Sequence, residues 1–120
     1  MIILDTDVCL SLLKGSNRLS DLYANTTEEI CVAAVTAQEL FYAANRSKDA
    51  TGNRILVEKF LLTVRILHPD LEALKYAADV QNNLNRTGKE ATYADLAIYS
   101  ISKAYGARLI TTQGKRYCFT

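Results

Sequence analysis

The chain has 120 residues, of which 49% are apolar, with one proline and five glycines, and this composition predicts a single domain over residues 1–120. Because 14 basic residues offset 13 acidic ones, the net charge is only +1, and any nucleic-acid or membrane partner must be sought in local patches. The apolar run at the amino terminus is short and is interrupted by Asp5 and Asp7, which argues against a signal peptide or a spanning helix. We therefore expect a cytoplasmic protein with no membrane partner.

The cysteines and the histidine lack the spacing of a metal site. Cys9, Cys31 and Cys118 have neither CxxC nor histidine-paired spacing, so we expect reduced core thiols rather than zinc ligands or disulfides. The only histidine, His68, directly precedes Pro69 and has no partner histidine. We expect it to be a loop residue rather than a catalytic base.

Short apolar runs alternate with stretches of helical spacing. The first run, residues 2–4, has no polar face, which is typical of a strand buried on both sides. Further strands are predicted at 30–35, 63–67 and 108–111. Helices are predicted to begin after Thr6 or Asp7, around 19–23, at Thr36, through 55–62, after Asp70 and at Thr92. The polar, turn-rich segment 46–53 is the predicted mobile loop. Alternating strands and helices indicate the α/β class with a parallel sheet, whose strand order does not follow from the pattern.

Three acidic residues lie at the ends of predicted elements, one directly after a strand and two in the first turns of helices. Asp5 comes directly after the first strand, and Glu39 and Asp95 lie in the first turns of predicted helices. Ligands of open α/β sheets bind at the carboxyl ends of the strands, so the three carboxylates are candidates for one pocket. Carboxylate oxygens and water are the ligands that Mg²⁺ and Mn²⁺ prefer, and such a site needs no histidine or cysteine.

A purely structural interpretation of the same acids stays open. The patterns Thr36-x-x-Glu39 and Thr92-x-x-Asp95 both have the form of a capping box, in which the acid accepts the N–H of the capping residue. Asp5 is the strongest functional candidate, because Thr6 or Asp7 could cap the first helix without it. We expect Asp7 to cap or to make an indirect contact.

Polar, basic and aromatic residues offer further candidates. Thr111 and Gln113 follow the last strand and could position a water molecule, or simply satisfy the strand end. A phosphate could contact basic residues, although a solvated surface explains them as well; these are Arg46, Lys48, Arg54, Lys115 and Arg116. Tyrosines could stack on bases, with core packing as the default interpretation; the candidates are Tyr42, Tyr93 and Tyr117.

Four stretches together resemble a PIN domain. They are ILDTDV around Asp5, VTAQELFYAA around Glu39, YADLAIYS around Asp95, and LITTQGKRY around Thr111 and Gln113. Each is weak alone, but their order and spacing are fairly specific, and the resemblance spans the whole chain. Length and element order are similar to the VapC toxins of bacterial and archaeal toxin–antitoxin pairs.

The resemblance implies a fold and an activity. The fold would be a three-layer α/β/α sandwich around a central, mostly parallel sheet. The activity would be that of a Mg²⁺- or Mn²⁺-dependent endoribonuclease that cleaves RNA, forms a homodimer and is silenced by a cognate antitoxin protein. Asp5, Glu39 and Asp95 match the family's acidic metal-binding residues, and Thr111 matches its terminal hydroxyl. Gln113 stands where the family often has a fourth acid or asparagine, and Asp7 where asparagine is common.

Two alternatives remain at this point. The residues Asp5-Thr6-Asp7-Val8 match the DxDx[TV] element of haloacid-dehalogenase-like phosphatases, with Asp5 as nucleophile, although the later lysine and acidic pair of that family are not evident. Gln113 also allows a catalytically degenerate PIN-like module that only binds a partner.

Overall fold

The computed structural model describes residues 1–15 and 18–119, and the side chains at 18–20 and 23 lie outside that description. The strands are β1 (Ile2–Leu4), β2 (Ile30–Ala33), β3 (Arg65–Leu67) and β4 (Arg108–Ile110). The helices are α1 (Thr6–Leu13), α2 (Arg18–Asn25), α3 (Ala34–Arg46), α4 (Ala50–Leu61), α5 (Leu71–Thr87) and α6 (Tyr93–Tyr105), followed by a short 3₁₀ helix (Gly114–Tyr117). The predicted alternation of strands and helices is confirmed.

The four strands form one parallel sheet in the order β3-β2-β1-β4. In the register of the central strand, Ile2 pairs with Ile30 on one side and with Arg108 on the other. The chain therefore adds β2 and β3 on one side of β1 and then returns to place β4 on its other side. Such a reversal leaves a crevice at the carboxyl ends of the two strands that flank it, and in open α/β sheets this crevice is where ligands bind.

Both faces of the sheet are covered, so the predicted three-layer α/β/α sandwich is confirmed. Side chains alternate along β1: Ile2 and Leu4 belong to a core with α1, α3 and α4, whereas Ile3 belongs to a core with α5 and α6. All three side chains are 0% exposed. Burial on two faces explains why the first strand is apolar throughout.

The last two long helices, α5 and α6, end where the capping residues and glycines of the sequence predict. Asp70 caps α5 by accepting the Ala73 N–H at 2.8 Å, and Gly88 ends that helix with φ 71°, a conformation that favours glycine. Gly106 ends α6 in the same way, with φ 64°. Within the ranges described, none of the helices combines the length and the apolar character that crossing a membrane requires.

The boundary between β2 and α3 differs from the prediction. The strand ends at Ala33 and the helix begins at Ala34, so Thr36 lies inside the helix instead of capping it. The capping-box interpretation of Thr36 and Glu39 is therefore wrong. The Thr36 side chain is 0% exposed and its hydroxyl pairs with that of Thr6 at 3.1 Å, which removes it from the role of a cap.

Segment 46–53 is largely helical, so the prediction of a mobile loop is wrong there. Only a short turn separates α3 from α4, and Asp49 caps α4 by accepting the Gly52 N–H at 3.0 Å. The Asn53 amide also donates to Ser47 Oγ at 2.7 Å across the turn. The polar residues that suggested a loop are capping residues of a helix-to-helix connection.

The cysteines are free thiols, as predicted, but they differ in burial. Cys9 and Cys31 are buried in the core, whereas Cys118 is exposed, so the prediction that it is a core residue is wrong. Burial, and then the charge of Asp5, raise the pKa of Cys9 to about 12. His68 is an exposed residue outside the helices and strands, as expected.

Candidate active site

A cavity of about 440 Å³ opens at the carboxyl edge of the sheet, beside the end of β1. Acidic side chains from three separate parts of the chain line it: Asp5 and Asp7 after β1, Glu39 from α3, and Asp95 from α6. The other lining residues are Thr6, Leu10, Tyr42, Ala43, Thr92, Ala94, Arg116 and Tyr117. The structure thus brings the three predicted acids, Asp5, Glu39 and Asp95, to one cavity.

Asp5 is held by donors on both carboxylate oxygens. Its side chain is only 1% exposed, and Oδ1 accepts the Val8 N–H at 2.9 Å, so Asp5 itself caps α1. The prediction that Thr6 or Asp7 would take that role is wrong. Oδ2 accepts a short hydrogen bond from the Thr111 hydroxyl and a long one, 3.4 Å, from the Tyr117 hydroxyl. A buried carboxylate fixed in this way has one orientation relative to the cavity.

Two threonines hold Glu39. The Thr6 hydroxyl donates to Glu39 Oε1 at 2.6 Å, and it also lies 3.1 Å from the Thr36 hydroxyl. Since a hydroxyl has one proton and Thr6 donates it to Glu39, Thr36 must be the donor to Thr6. The hydroxyl chain therefore orients Glu39 toward the cavity and leaves its second oxygen without a partner among residues 1–15 and 18–119.

Asp95 is the acid with fewest restraints. Thr92 caps α6 by accepting the Asp95 backbone N–H at 3.1 Å, which confirms half of the predicted capping box. The Asp95 carboxylate has no hydrogen-bond or ion-pair partner in the described part of the chain, although the residue is half-buried. An unpaired, partly desolvated carboxylate gains stability from a cation or a donor that enters the cavity.

An ion pair borders the cavity. The Arg116 guanidinium donates to Asp7 Oδ2 at 2.9 Å, with both side chains partly exposed. The neighbouring Tyr117 phenol has a pKa above its ordinary value, because it is partly buried and because Asp5 and Asp95 are negatively charged nearby. Tyr117 therefore stays a neutral donor toward Asp5 at physiological pH.

The structure separates the two candidates at the end of β4. Thr111 donates a hydrogen bond to Asp5. Gln113 is exposed, and among the described residues it does not line the cavity. The Gln113 backbone N–H donates to the Thr111 hydroxyl at 2.9 Å and orients it. The sequence analysis did not predict the hydrogen bond from Thr6 to Glu39. The only indication of it in the sequence is that Thr6 directly follows Asp5, the acid at the end of the first strand.

The donor set fits a hydrated divalent cation. Among the described residues, no three histidine, cysteine, aspartate or glutamate side chains are grouped closely enough to hold a metal ion by themselves. Mg²⁺ is commonly bound by one or two carboxylates while it keeps several waters, and the cavity has room for such water. The carboxylate oxygens of Asp95 and the second oxygen of Glu39 are available for it, and Asp5 Oδ1, which accepts a single hydrogen bond, keeps a second lone pair.

The fold and the cavity together define the class of domain: a parallel α/β sandwich with a carboxylate-lined crevice at the point where the strand order reverses. The PIN domain model matches residues 2–119, and the chain belongs to the PIN domain family. The resemblance inferred from the four sequence stretches is therefore confirmed.

Relatives match the sequence, and solved structures match the fold, over nearly the whole chain. The tRNA(fMet)-specific endonuclease VapC of Shigella flexneri is 23% identical over 115 residues, which cover 95% of this chain and 87% of that protein. The crystal structure of DNA-bound VapBC from Salmonella typhimurium has a TM-score of 0.88 at 23% identity, covering 98% of this chain and 91% of the other. The structure of VapBC2 from Rickettsia felis, bound to a promoter DNA fragment, has a TM-score of 0.83 at 26% identity and covers 99% and 95%.

Proposed function

We propose that this protein is a Mg²⁺- or Mn²⁺-dependent endoribonuclease, the toxin of a VapBC-type toxin–antitoxin pair, acting on RNA in the cytoplasm. The observation that carries the proposal is the convergence of Asp5, Glu39 and Asp95, from three separate elements, on one cavity at the carboxyl edge of the sheet. The names of the relatives, an endonuclease VapC and two VapBC assemblies, support the same activity.

In this proposal Asp5, Glu39 and Asp95 hold one or two cations, directly or through water. A bound divalent cation supplies Lewis-acid chemistry, since it offsets charge on the phosphate oxygens and makes water a better nucleophile. The residues of the chain supply orientation. Thr111 and Tyr117 fix Asp5, and Thr6 fixes Glu39, so the carboxylates are arranged before the substrate arrives. Water adds to phosphorus while the bond to the leaving ribose oxygen breaks. The water gives up a proton to solvent and the ribose oxygen takes one from solvent, so the products are a phosphate monoester and a ribose hydroxyl.

Cleavage of purified total RNA with and without divalent cation tests this function. We expect fragmentation in Mn²⁺ or Mg²⁺ that stops when EDTA is added and returns when excess Mn²⁺ is restored, because the carboxylates alone repel an anionic substrate. Fragments would be analysed on a denaturing gel. Undiminished cleavage in EDTA would contradict metal dependence, and no cleavage under any condition would favour a module that only binds a partner.

The phosphatase alternative has less support. The sequence shows the DxDx[TV] element at Asp5 but no evident counterpart of the later lysine and acidic pair that this phosphatase chemistry also needs. The relatives named as endonucleases also favour phosphodiester hydrolysis over an aspartyl-phosphate mechanism. Absence of a trapped phosphoryl group on Asp5 after incubation with a phosphate ester is the expected result.

A cognate antitoxin protein and a homodimer complete the proposal. The similarity to VapBC structures supports the antitoxin, which would be encoded by a short neighbouring reading frame. Co-expression of the two genes is expected to give a co-purifying complex that does not cleave RNA.

Light scattering of the free protein measures its oligomeric state, and we expect a dimer.

A further inference from the structure

The rim of the acidic cavity carries a cation and an aromatic ring that the carboxylate chemistry does not use. Arg116 lies on one part of this rim and is paired with Asp7. Tyr42, from α3, lies on another part and is 61% exposed. The Arg46 guanidinium carbon stands 5.4 Å from the centre of the Tyr42 ring. We call Asp7, Arg116, Tyr42 and Arg46 the cavity rim.

Arg116 is suited to bind a phosphate at the mouth of the cavity. It is the only basic residue among the described residues that line the cavity, where it faces four carboxylates. Its pair with Asp7 is 49% and 38% exposed, and exposed ion pairs contribute little free energy, so a phosphate can replace Asp7 as a partner at small cost. Only one guanidinium nitrogen donates to Asp7, which leaves the planar fork available for bidentate contact.

Tyr42 is suited to receive a base. Tyr42 is an exposed ring beside the acidic cavity, and unpaired bases stack on such rings in proteins that bind single-stranded RNA. Arg46 lies over the Tyr42 ring and adds a positive charge to this part of the surface. Aromatic stacking together with cations is the usual composition of a single-strand binding groove.

We propose that the cavity rim is a binding site for single-stranded RNA, in which Arg116 binds a backbone phosphate at the cavity mouth and Tyr42 stacks on a neighbouring base. In the free protein Asp7 holds Arg116 at this position until RNA displaces it. The inference rests on the proposed nuclease function and adds to it the residues that hold the substrate.

RNA affinity measured without cleavage tests the role of Arg116. Fluorescence anisotropy of a short labelled single-stranded RNA would be followed in an Asp5→Asn background, where no cleavage is expected. We expect Arg116→Ala to weaken binding by about tenfold. The slope of log affinity against log salt should fall by about 0.7, the value for one phosphate contact on a single strand. The matched control is Arg65→Ala, because Arg65 is 52% exposed and pairs with Glu29 at 3.0 Å at the opposite edge of the sheet.

The Asp7→Asn variant tests whether Arg116 binds RNA or serves only as the structural partner of Asp7. If Asp7 only holds Arg116, removing its charge frees the guanidinium and makes the rim less negative, so RNA should bind more tightly. Equal weakening by Asp7→Asn and Arg116→Ala would show that the pair matters only for local structure and would overturn the role of Arg116. Unchanged affinity in Arg116→Ala would overturn it as well.

Stacking on Tyr42 has a different signature. We expect Tyr42→Ala to weaken RNA binding by about tenfold with little change in the salt slope, since the ring carries no charge. Tyr42→Phe keeps the ring and should restore the affinity. Tyr76→Ala is the matched control, because Tyr76 is 43% exposed and lies on α5, outside the lining of the cavity. Equal losses in Tyr42→Ala and Tyr76→Ala would overturn the stacking site.

The outcomes distinguish this inference from the function on which it rests. Wild-type protein that cleaves RNA, with rim variants that bind RNA as tightly as their controls, would refute the rim and leave the nuclease proposal standing. Wild-type protein that binds RNA through the rim without cleaving it would refute the nuclease and retain the binding site.

Discussion

Replacement of Asp5 by asparagine is expected to abolish RNA cleavage while the fold remains intact. Loss of a residue that only orients a metal ligand typically costs about 10- to 100-fold, so neutralising the central carboxylate should reduce the cleavage rate by more than roughly 100-fold. Asparagine caps helices about as well as aspartate, so the bond from the Val8 N–H to the side-chain oxygen, 2.9 Å in the wild type, can persist. Initial rates on a labelled RNA, together with a thermal melt, measure both effects.

Alanine at the same position provides the structural comparison. Asp5→Ala removes the cap of α1 and leaves the Thr111 hydroxyl without its acceptor, so its free energy of unfolding should fall by about 1–3 kcal/mol. The asparagine variant should therefore be inactive but stable, and the alanine variant inactive and destabilised. Unchanged metal-dependent cleavage in Asp5→Asn would remove Asp5 from the mechanism.

Asp95→Asn should separate activity from stability even more clearly. Because the Asp95 carboxylate has no partner within the described ranges, its neutralisation should change the free energy of unfolding by no more than about 0.5 kcal/mol. The backbone N–H that Thr92 accepts is untouched, so the cap of α6 remains. We expect cleavage to fall by more than roughly 100-fold, as for a direct or water-mediated ligand.

The matched control for this variant is Asp79→Asn. Asp79 is an exposed residue of α5, so its replacement also removes one negative charge but leaves the cavity intact. Cleavage should stay within about twofold of wild type, since an exposed distant charge is largely screened by salt. A large loss of stability in Asp95→Asn, in urea titrations, would indicate that the carboxylate has a structural role and would contradict the account of a free ligand.

Much of the fold could be predicted because local signals and burial agree. The run of Ile2, Ile3 and Leu4 has no polar face because both faces of the central strand are covered, and Asp70 and Gly88 mark the ends of α5. Predictions failed where two local signals competed. The apolar run of β2 continues into the first turn of α3, so the boundary at Ala33 is set by packing of the helix rather than by residue type.

The candidate site shows where sequence reasoning reaches its limit. The positions of Asp5, Glu39 and Asp95 at element ends predicted one shared cavity, and the structure places all three there. The contacts that orient these acids join residues far apart in the chain, such as Thr111 with Asp5 and Arg116 with Asp7. Those pairs depend on the strand order, which places β4 beside β1, and a single sequence carries no local signal for that order.

The central claim is that the carboxylates of this cavity bind the divalent cation on which RNA cleavage depends. Isothermal titration of Mn²⁺ into the wild type, Asp5→Asn, Asp95→Asn and Asp79→Asn tests it most directly. The account predicts saturable binding to the wild type and Asp79→Asn, and binding weakened by more than roughly tenfold in both cavity variants. Equal Mn²⁺ affinity in all four proteins, or no binding to the wild type, would contradict it.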